Sequence, residues 1–201
     1  MRRLWVTGYR SYELNVFKDD DPKVKVIKKV LTDHLKNYLE EDTEECWLIS
    51  GPQMGVERWA LECGLDLKND YAQLRLALME PYTAFDQRWN ESNQEKLAVI
   101  KNKVDFSAPV TNHPYQSPQQ LRTYQRFMLT HTDGLLMVYD PEYEGKPKHD
   151  YRQAQRYQEQ GNYPISLIDF DELQETAVEY QEEQRGKNME WPLNLWMNLV
   201  K

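Results

Sequence analysis

Short apolar runs alternate with longer stretches of helical spacing from the start of the chain to about residue 184. Leu4–Thr7 is apolar and stops at Gly8. Val24, Ile27, Leu31, Leu35 and Tyr38 then recur at helical spacing behind Asp21-Pro22, where Asp21 can cap and Pro22 fits a first turn. Cys46–Ser50 is a second strand ending at Gly51, and Gly55–Lys68 is a helix with Trp59, Ala60, Cys63 and Leu67 on one face. Leu74–Met79 suits a strand buried on both faces. Trp89–Lys101 reads as helix, Val104–Ala108 as a weaker strand, and Ser117-Pro118 opens a helix running to about Thr130. Gly134–Tyr139 is the strongest strand signal, followed by a polar helix at Tyr151–Gln160, a strand at Ile165–Ile168 and an acidic helix at Asp171–Gln184. Strands separated by helices of this length build βαβ units. The expected fold is therefore α/β: a Rossmann-like three-layer sandwich with a mostly parallel sheet and helices on both faces.

The 201 residues suffice for one core without disulfide staples. Residues 1–185 read as that domain, and residues 186–201 as an apolar, Trp-containing tail. No apolar run approaches a membrane span, and Leu4–Val6 is too short for a signal peptide, so the expected location is the cytoplasm. Cys46 and Cys63 match no paired motif and read as small buried thiols. The four His residues form no ligand-spaced cluster, so neither a metal nor a bound cofactor is called for. The net charge of −8 is uneven: Glu40–Glu45 carries −5 and Asp169–Arg185 carries −6, leaving +3 for the rest.

In an open parallel sheet, ligands bind beyond the carboxyl ends of the strands. That rule selects Thr7-Gly8-Tyr9-Arg10, then Ser50-Gly51 through Gly55 to Glu57, then the loops at Glu80 and Pro109, then Asp140 leading to Gly145-Lys146. Gly51 and Gly55 let backbone approach a ligand, and the amides opening the following helix favour a phosphate. Glu57 falls in the first turn of that helix. It either complements the helix dipole or acts as acceptor or acid/base, facing a sugar rather than a phosphate. Arg10, Lys146 and Lys148 are candidates to neutralise phosphate, and Tyr9 is the best candidate for a stacking face. Arg122, Tyr124 and Arg126 read as a solvated helix face.

The blocks TGYRSYEL, ISGPQMGVERWA, the Pro81–Trp89 segment, HPYQSP and DGLLMVYDPEYEGKPK, taken in this order from Met1 to about Gln184, resemble the YpsA family. That family belongs to the SLOG superfamily of Rossmann-like proteins, with the LOG phosphoribohydrolases and the DprA/Smf proteins. The resemblance implies a pocket for a nucleotide or nucleotide-derived ligand, such as ADP-ribose or an NAD fragment, centred on Gly51–Glu57. It also implies a link to cell division in Gram-positive bacteria of the Firmicutes type. By that resemblance Gly55 and Glu57 lead the site, with Thr7, Gly8, Gly51 and Asp140 beside them. LOG enzymes carry a PGGxGTxxE motif, and the corresponding junction here, Tyr139–Lys146, lacks its paired glycines and Thr. Phosphoribohydrolase activity is therefore not carried over with the fold.

Three functions follow as expectations. The first is a sensor or regulator binding a small nucleotide-derived ligand. The second is an enzyme cleaving an N-glycosidic bond, with Glu57 as acid/base. The third is an interaction protein using the stripe Leu193, Trp196, Met197 and Val200 against a division-machinery partner, a second copy in a homodimer, or its own sheet. Nucleic acid ranks last, because no basic stripe is legible in the sequence.

Overall fold

The computed structural model describes residues 1–184. In chain order its elements are β1 (Arg2–Gly8), α1 (Pro22–Glu40), β2 (Cys46–Ser50), α2 (Val56–Leu67), β3 (Leu74–Tyr82), α3 (Glu91–Lys101), β4 (Phe106–Thr111), α4 (Gln119–His131), β5 (Gly134–Val138), α5 (Lys148–Gln158), β6 (Ile165–Ile168) and α6 (Phe170–Gln184). The strands form one sheet in the order β4-β3-β2-β1-β5-β6, and every pairing is parallel. The chain steps outward from β1 to β4, then crosses back to β5 on the other side of β1. Right-handed crossovers place the outward and returning helices on opposite faces. Accordingly α1 packs on α2 and α6, and α2 on α3, while α4 packs on α5 and spans β1, β3 and β4. The result is an α/β Rossmann-like sandwich whose order reverses between β1 and β5.

Burial follows position in the sheet. β5 is buried throughout, and β1 is buried from Leu4 to Gly8, as continuous apolar runs in a doubly covered parallel sheet should be. β4 is an edge strand, exposed to half-buried, and so tolerates Pro109. Trp5 and Trp59 lie fully inside the core. α1 starts where its cap predicts, with the Asp21 carboxylate accepting the Lys23 N–H at 2.9 Å. Cys46 and Cys63 are buried free thiols, each pushed up to about 11 by burial.

Three boundaries differ from the sequence reading by three residues. β3 continues through Glu80-Pro81-Tyr82 because β4 pairs alongside it, from Ala77 opposite Phe106 to Tyr82 opposite Thr111. Glu80 is thus a buried strand residue, paired with Lys101 at 2.7 Å, rather than the start of a loop. β4 itself runs to Thr111, so Pro109 lies in the strand. α5 opens at Lys148 rather than Tyr151, which puts His149 and Asp150 in its first turn.

No helix among the described residues is long and apolar enough to cross a membrane. The acidic helix α6 packs against α1, whose end carries the other acidic run, in the layer opposite α4 and α5. The apolar stripe expected in residues 186–201 lies outside the described residues.

Candidate functional site

The loops after β1 and β2 are stitched together. The Val56 N–H donates to the Tyr9 carbonyl at 3.1 Å, and the Ser11 N–H donates to the Met54 carbonyl at 3.0 Å. Gly55 sits in this seam at φ +124°, where a Cβ would fall 2.6 Å from both the Tyr9 oxygen and the Ser11 nitrogen. Only glycine adopts that backbone without strain. In the first turn of α2, Glu57 bends back under the loop. Its Oε2 accepts the Gln53 N–H at 2.9 Å, and its Oε1 accepts the Thr7 hydroxyl at 2.8 Å. Two amides of the stretch that leads into α2 are not free to take a phosphate. The Gln53 and Val56 amides are already spent inside the protein, and a carboxylate lies beside them.

Gly51 marks the meeting point of Glu57 and α4. A Cβ there would lie 2.3 Å from Glu57 Oε2 and 2.6 Å from the Tyr124 hydroxyl. That hydroxyl is buried and has no hydrogen-bond partner among the described residues. Burial raises the Glu57 carboxyl above the ordinary carboxylate value. The Gln53 amide, the Thr7 hydroxyl and the Arg10 charge oppose the rise, and Asp150 reinforces it. Asp150 is also raised by burial, against the Gln125 amide 2.6 Å away and the charges of Arg10 and His149.

Over these groups opens a cavity of about 720 Å³. Arg10, Gln53 and Glu57 lie on one side, Arg122, Tyr124 and Gln125 come from α4, and Lys146, His149, Asp150, Arg152 and Arg156 come from α5 and the loop before it. Five Arg and Lys side chains thus line it against two carboxylates. The first turns of α4 and α5 both border it, and their dipoles add positive potential. Arg10 faces Glu13 at 3.8 Å and Arg152 faces Glu144 at 2.7 Å. The side chains of Arg122, Lys146 and Arg156 have no ion pair among the described residues.

Of the residues singled out in the sequence, Arg10, Glu57 and Lys146 line the cavity, with Thr7 and Gly51 in contact with Glu57 behind it. The others do structural work nearby. The Ser50 hydroxyl donates to the Val6 carbonyl at 2.6 Å, and Gly8 lets β1 approach Val138 and Val56. The Asp140 carboxylate accepts the Glu142 and Phe170 N–H groups, tying the β5 loop to the start of α6. Gly145 packs on Glu13 and the Tyr9 ring, while Lys148 pairs with Glu144 at 3.1 Å.

Tyr9 is no stacking face. It is 3% exposed, its ring meets Tyr139 and Phe170, and its hydroxyl accepts the Asp140 N–H and donates to the Tyr143 carbonyl at 2.7 Å. Burial of the ring also raises its hydroxyl pKa well above the usual tyrosine value. Tyr9→Phe should cost about 1–3 kcal/mol in urea unfolding, the penalty for unpairing buried backbone groups, while the cavity lining stays intact. An unchanged midpoint would show that water replaces the hydroxyl there.

Of Arg122, Tyr124 and Arg126, expected on a solvated face, both arginines are exposed and Tyr124 is buried. Helix α4 crosses back over the sheet, and this brings Arg122 and Tyr124 to the cavity. Asp150, Arg152 and Arg156 carry no local motif. Their only sequence signal is two arginines four apart.

The sequence model of the YpsA family, described as the YspA SLOG family, matches residues 4–173. A UPF0398 protein of Limosilactobacillus reuteri is 58% identical over 188 residues, covering 94% of this chain and 99% of that protein. One of Lactobacillus gasseri is 53% identical over 188 residues, covering 94% of this chain and 98% of that protein. Among solved structures, DNA processing protein A of Streptococcus pneumoniae overlays with a TM-score of 0.49 at 14% identity, covering 91% of this chain and 56% of that one. The match over most of the chain, with relatives this similar over nearly their full length, makes this protein a member of the YpsA (YspA SLOG) family.

Proposed function

We propose that the cavity binds a small nucleotide-derived ligand. Its phosphate rests on Arg10, Lys146 and Arg122 at the positive ends of α4 and α5, and its sugar hydroxyls face Glu57. The carrying observation is the basic lining: five Arg and Lys side chains against two carboxylates, in a chain of net charge −8. The volume of about 720 Å³ lies within the usual range for small-ligand sites. A buried carboxylate repels a phosphate but accepts well from a hydroxyl, which sets the ligand's orientation. ADP-ribose and fragments of NAD have this chemistry. Through the family resemblance, the same reading makes the protein a sensor whose occupancy changes its contacts with cell-division partners.

A thermal-shift panel of ADP-ribose, NAD and AMP tests the proposal. Ligand at 100 times its Kd should add about 2.7 kcal/mol of stability. Arg10→Ala and Lys146→Ala should each remove most of that gain, Lys146→Ala without lowering the melting temperature of the free protein. No shift with any of the three, and nothing co-purifying in the mass spectrum of the native protein, would overturn it.

A second reading rests on Glu57 and Asp150, two carboxyls in one cavity that burial makes reluctant to ionise. Such groups can hold a proton near neutral pH and deliver it to a leaving group. On this reading the protein cleaves an N-glycosidic bond, with Glu57 as the acid/base. Release of free base from nucleotides should then disappear in Glu57→Gln. Turnover that survives that change would remove Glu57 from the role.

A further inference from the structure

A second hollow, of about 460 Å³, continues from the cavity along the groove between α4 and α5. It shares Arg122, Gln125 and Arg156 with the first and adds Arg126 and Tyr157. The arginines here are ordered. Arg122 and Arg126 stand four residues apart on α4, and Arg152 and Arg156 stand four apart on α5. At that spacing side chains are neighbours on one helix face, and like charges destabilise the helix. Arg152 has an acid partner in Glu144, whereas Arg122, Arg126 and Arg156 have none among the described residues. The chain has acids to spare, 33 against 25 bases, yet its acidic runs lie on the opposite layer. Arg122, Arg126 and Arg156 thus meet along one groove without an acid partner among the described residues, and an anion seated among them relieves their repulsion.

We infer that the ligand carries a second anionic group, seated in this groove between Arg126 and Arg156. The inference rests on the proposal that the first cavity takes a nucleotide-derived ligand. One helical turn, about 6 Å of rise, separates the arginines of each pair. The fitting class is therefore a nucleotide with two phosphates set one nucleoside apart, with Tyr157 beside the distal half. The limited volume favours a small molecule over a nucleic-acid strand.

Calorimetric titration of the full chain with AMP and with the linear dinucleotide pApA tests this. The expected result is pApA binding about tenfold tighter than AMP, the worth of one added charge-assisted contact. Arg126→Ala, an exposed change outside the first cavity, should bring pApA down to the affinity of AMP and leave AMP within about twofold. Arg10→Ala should weaken both. Equal affinities with no effect of Arg126→Ala would overturn the second subsite while AMP binding upholds the first. Silence from both probes would overturn both readings. Affinity that keeps climbing from pApA to a longer oligoadenylate would assign the groove to a nucleic-acid strand and overturn the small-molecule class.

Discussion

Gly55→Ala is expected to remove a large part of the protein's stability. At φ +124° an alanine is strained whatever space surrounds it, at a cost of about 1–3 kcal/mol. Space is also absent. The added Cβ would lie 2.6 Å from the Tyr9 oxygen and the Ser11 nitrogen and 2.8 Å from the Arg10 carbonyl carbon. These are backbone atoms in a hydrogen-bonded seam, so no side chain can swing away. Overpacking of that kind costs about another 1–3 kcal/mol. The combined loss is a large share of the roughly 5–15 kcal/mol that stabilises a domain. Urea unfolding measures it, with Gly161→Ala as the control. Gly161 has open space around its Cα and no positive φ, so alanine there should be neutral or stabilising by up to about 1 kcal/mol. If Gly55→Ala unfolds within about 1 kcal/mol of the wild type, the seam is softer than its contacts imply.

Glu57→Gln is expected to make the protein more stable at neutral pH and to change how its stability depends on pH. Burial holds the folded-state pKa of Glu57 above the ordinary value of 4.5. Well below that value the carboxyl is protonated in both folded and unfolded chains, and the substitution changes little. As pH rises, the unfolded chain ionises first, while the folded chain still binds the proton. Stability therefore falls from about pH 4.5 upward, and the loss levels off only above the folded-state pKa. Glutamine does not ionise and escapes this loss. Its amide oxygen can still accept the Gln53 N–H or the Thr7 hydroxyl. The gap between variant and wild type should be near zero at about pH 4 and widen as pH rises, up to the folded-state pKa of Glu57. Asp150 gives a slope of the same sign, so it remains in the variant and the double change with Asp150→Asn should flatten the profile further. A gap constant with pH would mean that Glu57 ionises as freely in the folded protein as in the unfolded one. A gain in stability joined to weaker ligand binding would mark Glu57 as a group kept for function at a cost to the fold.

The elements legible in the sequence were those written in local periodicity. Leu4–Thr7, Cys46–Ser50 and Gly134–Tyr139 are apolar runs bounded by glycine or polar residues, and each became a central strand within a residue or two. The cap at Asp21-Pro22 identified the start of α1. Edges were less legible. β3 and β4 extend each other through Glu80-Pro81-Tyr82 and Pro109, where no apolar run signals a strand, because pairing with a neighbour supplies what propensity lacks.

The site divides in the same way. Arg10, Glu57 and Lys146 were found because the carboxyl ends of parallel strands are where ligands collect. Tyr9 obeyed the same rule and proved to be packed instead. A strand-end position fixes where a residue sits and leaves open what its side chain touches. Tyr124 was passed over because, within its own helix, it looks like any polar aromatic between two arginines.

The succession of strands and helices along the chain and the loop that follows each strand were legible in the sequence alone, since each depends on residues a few positions apart. The composition of the cavity was decided by the tertiary structure. Glu57 and Tyr124 are 67 residues apart and meet over Gly51 only because the chain crosses back from β4 to β5. That crossing also turns the arginines of α4 toward those of α5, and it gives a chain of net charge −8 a basic cavity. Charge is counted along a sequence, but potential is set by distance, and only the folded chain has the distances.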